Sequence, residues 1–261
     1  MRITSNEKIA DKLQGLAVKV EMHNSEAYKH CIKAEALRIK HYYMEAIDEY
    51  LAALSYDEEN IQAFKGLGLA YKQAGLIKSA IETFLKAKRI SPFDKTIYNE
   101  LGFCYMQDNR PEIALKTLRR SLKLDPCFID AQLNLAIAHE LNCEIDLAIS
   151  IYKKIIDIRP SFIAAYNNLG SLYMRIGLYS KAIETFKSIL RVNPEFSRAY
   201  LGIAVAFDKI EEKSKAMRYY KKYTSAKPNS ASIPYVQDRM NSMRFKKRVN
   251  LDKFHLKLVV Q

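Results

Sequence analysis

Five histidines and four cysteines are the side chains here best suited to acid–base, nucleophilic or metal chemistry. A general base needs a positioned partner, and a zinc site needs ligands at set spacings. His23, His30, His41, His139 and His255 stand at no such spacing. His30 and Cys31 are adjacent, yet no further ligand pattern surrounds them. Cys31, Cys104, Cys127 and Cys143 form no CxxC pair, so reduced thiols in a cytoplasmic protein are expected. "GLG" at 66–68 builds no phosphate-cradling loop. No catalytic set, metal site or cofactor site is expected, and the chain does not read as an enzyme.

Charge is the next source of chemistry. The 261 residues are 49% hydrophobic and 27% charged, a globular composition, with a net charge of +13. Residues 27–60 carry 4 basic and 7 acidic side chains, whereas 197–230 carry 8 and 3, and 231–261 carry 7 and 2. A basic C-terminal quarter could dock to nucleic acid, an anionic membrane or an acidic protein. No nucleic-acid motif accompanies it, and Tyr200, Tyr219, Tyr220 and Tyr223 mostly fall in core columns of the repeat described next. The N-terminal "MRITSNEKIADKLQG" has charges where a signal peptide needs an apolar core, so export by that route is not expected. No stretch approaches the length of apolar sequence that a membrane span requires.

The elements that position these side chains recur every 34 residues. Ala46, Ala80, Ala114, Ala148, Ala182 and Ala216 share one column. A small residue recurs as Ala34, Gly68, Gly102, Ala136, Gly170 and Ala204, and a large one as Tyr50, Phe84, Leu118, Tyr152, Phe186 and Tyr220. Another column reads Leu37, Tyr71, Tyr105, His139, Tyr173 and Phe207. Pro92, Pro126, Pro160, Pro194 and Pro228 close five of the six units. Each unit splits into two helical patterns. In the fifth, the first runs from about Ala164 to Arg175 and the second from about Ser180 to Val192, with Gly177 between. Gly75 marks the same break in the second unit and Asn109 in the third, where Pro111 opens the next helix. Gly170 inside a helix costs about 1 kcal/mol relative to alanine. Its expected return is close packing of the paired helices, with Gly170 facing Ala182 and Tyr166, Leu169, Tyr173 and Phe186 around them.

On these residues the sequence resembles the tetratricopeptide repeat family. "AYNNLGSLYMRIGLYSKAIETFKSILRVNP" (165–194) looks like a near-consensus unit, with Tyr166 where the family often has Trp. The resemblance implies an all-α, right-handed α-solenoid of helix-turn-helix units that share a core between neighbours. Its six units are 27–60, 61–94, 95–128, 129–162, 163–196 and 197–230. The first departs most, with His30 and Lys33 in columns that are otherwise mainly aromatic and aliphatic. Residues 1–26 are read as an N-terminal cap, with Ile9, Leu13, Leu16 and Val20 on one helical face. Residues 231–248 are read as a C-terminal capping helix with Tyr235, Met240 and Met243 turned inward. The apolar and basic tail 249–261 could lie along the protein, pair with another chain or be mobile.

The resemblance also implies a concave face lined by the first helices, which in this family usually holds a peptide. The lining columns are Lys65, Leu69 and Lys72; Asn99, Phe103 and Met106; Leu133, Ile137 and Glu140; Asn167, Ser171 and Met174; Leu201, Val205 and Asp208. Leu69, Phe103, Ile137 and Val205 form an apolar band interrupted by Ser171. The clamp with which relatives grip chaperone tails is not matched: Lys65 fits, but Leu69 and Glu100 replace asparagines, and Asp130 and Asn134 replace bases. Asn134 and Asn168 resemble groove asparagines of sugar-transferring relatives, but no transferase domain accompanies them. The expected function is a non-catalytic scaffold or adaptor for a protein or peptide partner. The alternatives are docking of the basic C-terminal quarter to nucleic acid or an anionic membrane, and a non-catalytic subunit of a larger enzyme. Self-association through 249–261 is also expected to be possible.

Overall fold

Each helix pair turns on one residue with positive φ. These are His41 (66°), Gly75 (78°), Asn109 (57°), Cys143 (60°), Gly177 (76°) and Glu211 (61°), spaced 34 apart. At each, the residue after it donates its N–H to a carbonyl near the end of the first helix. Leu76 reaches Tyr71 O at 2.9 Å, Leu178 reaches Tyr173 O at 2.9 Å and Glu212 reaches Phe207 O at 2.9 Å. This is the Schellman arrangement, which satisfies helix-end carbonyls at the cost of a left-handed residue. Glycine and asparagine adopt that conformation readily; His41, Cys143 and Glu211 hold it against the steric preference of their side chains.

The structure, a computed structural model, describes residues 26–243. The expected N-terminal helix over 5–22 and the tail 249–261 lie outside them. The paired helices are α1 (Glu26–Ile39) with α2 (Tyr43–Tyr56), α3 (Ile61–Gln73) with α4 (Ile77–Ile90), α5 (Lys95–Gln107) with α6 (Pro111–Leu124), and α7 (Ile129–Leu141) followed by α8 (Ile145–Ile158). Then come α9 (Ile163–Arg175) with α10 (Tyr179–Val192), and α11 (Ser197–Lys209) with α12 (Lys213–Ala226). A last helix, α13, occupies 233–243. No strand occurs among the described residues, and the fold is an all-α helical-repeat solenoid.

The chain divides after Ala148 into two compact units. In the first, neighbouring first helices touch, α1 with α3, α3 with α5 and α5 with α7. Each second helix from α2 to α6 also packs on the first helix that follows it. In the second, α10 packs between α9 and α11, and α12 packs on α11. All six alanines of the 34-residue column are fully buried.

The glycine column works differently from the expectation. A Cβ at Gly170 would lie 2.7 Å from the Phe186 ring, so the glycine makes room for that ring and not for Ala182. Gly68 stands against Phe84 and Gly102 against Leu118 in the same way. Gly202, on α11, meets the other side of Phe186 at 2.6 Å. The C-terminal capping helix also differs in detail. Tyr235 is 54% exposed, and Val236 is the fully buried residue beside Met243. Arg239 fixes α13 to α11 through a two-pronged contact with Asp208 at 2.8 and 2.9 Å.

Candidate functional site

Helix caps place the side chains of the first-helix face. Asn60 caps α3 by accepting from Ala63 N at 2.9 Å, and Asp94 caps α5 by accepting from Thr96 N at 2.8 Å. Asp94 has a second task. Its other oxygen accepts from Lys65 Nζ of the preceding first helix at 2.8 Å. Lys72 pairs with Glu100 in the next unit, and Lys95 pairs with Asp125. Lys72 also lies 5.0 Å over the Phe103 ring, and Lys95 lies 5.0 Å over that of Phe128. Burial raises the Asp94 carboxyl, but hydrogen bonds from Lys65 and Thr96 outweigh it and hold the group below the usual carboxylate range. Lys95 lowers Asp125 by the same kind of contact.

Lys65 and Lys72 are therefore joints between neighbouring units and not cations waiting for a ligand. Two other expected lining residues are corrected more fully. Met106 is 7% exposed and belongs to the core formed with Leu115 and Leu118. Asn99 is 5% exposed, and its Oδ1 accepts from Asn134 Nδ2 at 2.9 Å. Adjacent first helices touch, so a side chain pointing along the face becomes buried in the joint. Asp208 likewise is taken up by Arg239.

What stays open on this face is mostly apolar. Leu69, Phe103 and Ile137 are half-buried, each packed against a core cluster. Leu133 is half-buried in the first unit, as are Leu201 and Val205 in the second, where Ser171 is exposed. Two recesses adjoin Leu69. One of about 560 Å³ is lined by Ile32, Ile39 and Tyr50 among others, and one of about 240 Å³ by Phe84 and Ile97.

Asn167 is the exception among the polar residues. It occupies the column of Asn99, yet its Oδ1 is buried with no hydrogen-bond partner among the described residues. The donor for Asn99 is Asn134, 35 residues on; the same step from Asn167 leads to Gly202 on α11. A glycine there accommodates Phe186 and supplies no side-chain donor.

The histidines among the described residues each have a hydrogen-bond partner. His139 is buried and hydrogen-bonded to Glu144, whose carboxyl that contact lowers. His30 and Lys33 both pair with Glu49 on α2, each at 2.6 Å, which accounts for their place in core columns. All four cysteines are free, and burial pushes Cys104 up to about 12. Among the described residues no group of His, Cys, Asp and Glu could hold a metal ion. No helix among them is long and apolar enough to cross a membrane.

The repeat geometry has direct counterparts. Tetratricopeptide repeat models match residues 35–95 and 105–161, 163–196, and 197–230. The chain belongs to the tetratricopeptide repeat family. The solved structure of the MamA protein is 26% identical, covers 67% of this chain and 96% of its own, and superposes with a TM-score of 0.55. That of PilW, described as a widely conserved type IV pilus biogenesis factor, is 22% identical over 82% of this chain and 99% of its own, with a TM-score of 0.73. A tetratricopeptide repeat protein from Parabacteroides merdae is 18% identical over 90% of both chains, with a TM-score of 0.69. No curated protein matches the sequence. As a tetratricopeptide repeat protein, the chain is a protein-interaction scaffold in general terms. Sequence reasoning missed the joints between its units, although they leave a trace: a lysine followed 28 to 30 residues later by a carboxylate.

Proposed function

We propose that this protein is a non-catalytic adaptor, working in a reducing cytoplasmic setting, that holds an extended segment of a protein partner on its first-helix face. The observation that carries the reading is the apolar strip left open on the first-helix face of the first unit. The half-buried Leu69, Phe103 and Ile137 offer apolar contact for alternate side chains of such a segment. With Lys65 and Lys72 already paired, the segment would be chosen by shape and apolar contact more than by acidity.

The test is selection from a displayed peptide library on the full chain, followed by affinity measurements on the peptides recovered. Phe103→Ser with Ile137→Ser should abolish binding while helix content by circular dichroism is retained. Asn167→Leu should raise the unfolding midpoint, because it removes the unpaired carbonyl. Peptides that bind the F103S/I137S protein as tightly as the parent would sink the reading.

A further inference from the structure

The second helices carry charge of another kind. On α6, Lys116, Arg119, Arg120 and Lys123 stand at i, i+3, i+4 and i+7, and all four are exposed. That spacing places them in one stripe. Lys88 on α4 forms part of the opposite wall. Between the two helices lies a groove of about 600 Å³ with Leu85, Leu101, Tyr98 and Tyr105 in its lining. None of the described residues lining it is acidic. Lys116 with Arg120 and Arg119 with Lys123 are like charges one turn apart, an arrangement that opposes the helix it sits on. Glu144, which feels the charge of Arg119, is already hydrogen-bonded to His139 and Asn142.

The second unit repeats the device three repeat lengths later. Arg120 lies 6.0 Å over the Tyr98 ring, and Lys222 lies 5.5 Å over the Tyr200 ring. Tyr98 donates its hydroxyl to Pro92 O at 2.9 Å, and Tyr200 donates to Pro194 O at 2.8 Å. Lys215, Arg218 and Lys222 form a stripe of their own on α12. Glu184 and Glu195 enter the lining there, so the groove of the first unit is the more purely cationic.

We propose that the groove between α4 and α6 docks an acidic peptide segment with interspersed apolar residues, carried by a protein partner. This site is separate from the first-helix face. Charge complementarity selects the acidic character, and Leu85 and Leu101 select the apolar residues. Seven residues of helix span about 10 Å, the reach of about three extended residues, so the stripe can meet two or three carboxylates of one strand. Nucleic acid fits less well. Bases need open aromatic faces on which to stack. Here Arg120 covers one face of Tyr98, and the Tyr98 hydroxyl is tied to the backbone.

The test uses a fluorescein-labelled peptide of alternating glutamate and leucine, titrated into the full chain and followed by anisotropy. A version with glutamine for glutamate and a single-stranded oligothymidine serve as controls. The triple variant K116Q/R120Q/K123Q should bind the glutamate peptide at least about tenfold more weakly. Lys88→Gln, on the facing wall, should lose about threefold and covers the case in which the triple variant fails to fold. The glutamine peptide should not bind, and F103S/I137S should bind the glutamate peptide like the parent. Undiminished binding by both the triple variant and Lys88→Gln would overturn the proposal. So would oligothymidine binding tighter than the glutamate peptide, which would make the stripe a phosphate-binding surface.

Discussion

The two faces of the first unit use lysine in opposite ways. On the first-helix face Lys65, Lys72 and Lys95 each meet a carboxylate from the following unit or its approach. On the second-helix face Lys116, Arg119, Arg120 and Lys123 make no ion pair among the described residues. The first helices touch one another, whereas α4 and α6 leave a groove between them. A charge placed where helices touch is partly desolvated and must be matched. A charge placed where they separate stays in water and needs no partner. Proximity thus turns one kind of side chain into a joint and leaves the other available.

The largest expected effect sets the baseline against which the faces can be compared. Phe186→Ala empties the space between Gly170 and Gly202 and should cost about 3–5 kcal/mol in urea unfolding of the chain. A loss below about 1 kcal/mol would mean that the ring is not the core contact described. Next comes a direct attack on one joint. Glu100→Lys sets two cations against each other at Lys72 and should cost about 1–3 kcal/mol. Lys116→Glu, the corresponding reversal on the other face, should be neutral or stabilise by about 0.3 kcal/mol, since it relieves like charges on α6. Equal losses from the two reversals would erase the distinction between the faces.

Acid offers a gentler probe of the same joints. The folded Asp94 carboxyl is held below its unfolded value of about 3.9. Its contribution is therefore fully present above that value and is lost as pH falls through the lower folded one. The urea midpoint of the parent should drop on acidification in that window, and Lys65→Met should drop less steeply. A Lys65→Met profile parallel to the parent would remove Lys65 as the cause.

Much of the fold was legible in the sequence because an α-helical repeat writes its core as columns. Helices expected from about Ala164 to Arg175 and Ser180 to Val192 are found at Ile163–Arg175 and Tyr179–Val192. Gly75, Asn109 and Gly177 announced their turns, whereas His41, Cys143 and Glu211 carried no chemical hint of a left-handed backbone. Depth was harder to read. Periodicity gives the side of a helix that a residue occupies but not how near the next helix comes. Asn99 and Met106 were thus placed on an open face when they lie in its joints. Tyr235 and Val236 differ by one position, a turn of about 100° around α13, and the larger residue is the exposed one. The carbonyl of Asn167 was beyond reach for another reason. Its isolation depends on Gly202, which is small because of Phe186.

Phe186 also bears on how the second unit comes apart. In a linear array, stability divides into what each repeat holds within itself and what each interface adds. The ring sits in α10, against Gly170 of its own repeat and Gly202 of the next. It therefore enters both quantities at once. Loosening it weakens a repeat and uncouples its neighbour in a single event, so α9 through α11 should melt as one cooperative block and not fray one helix at a time.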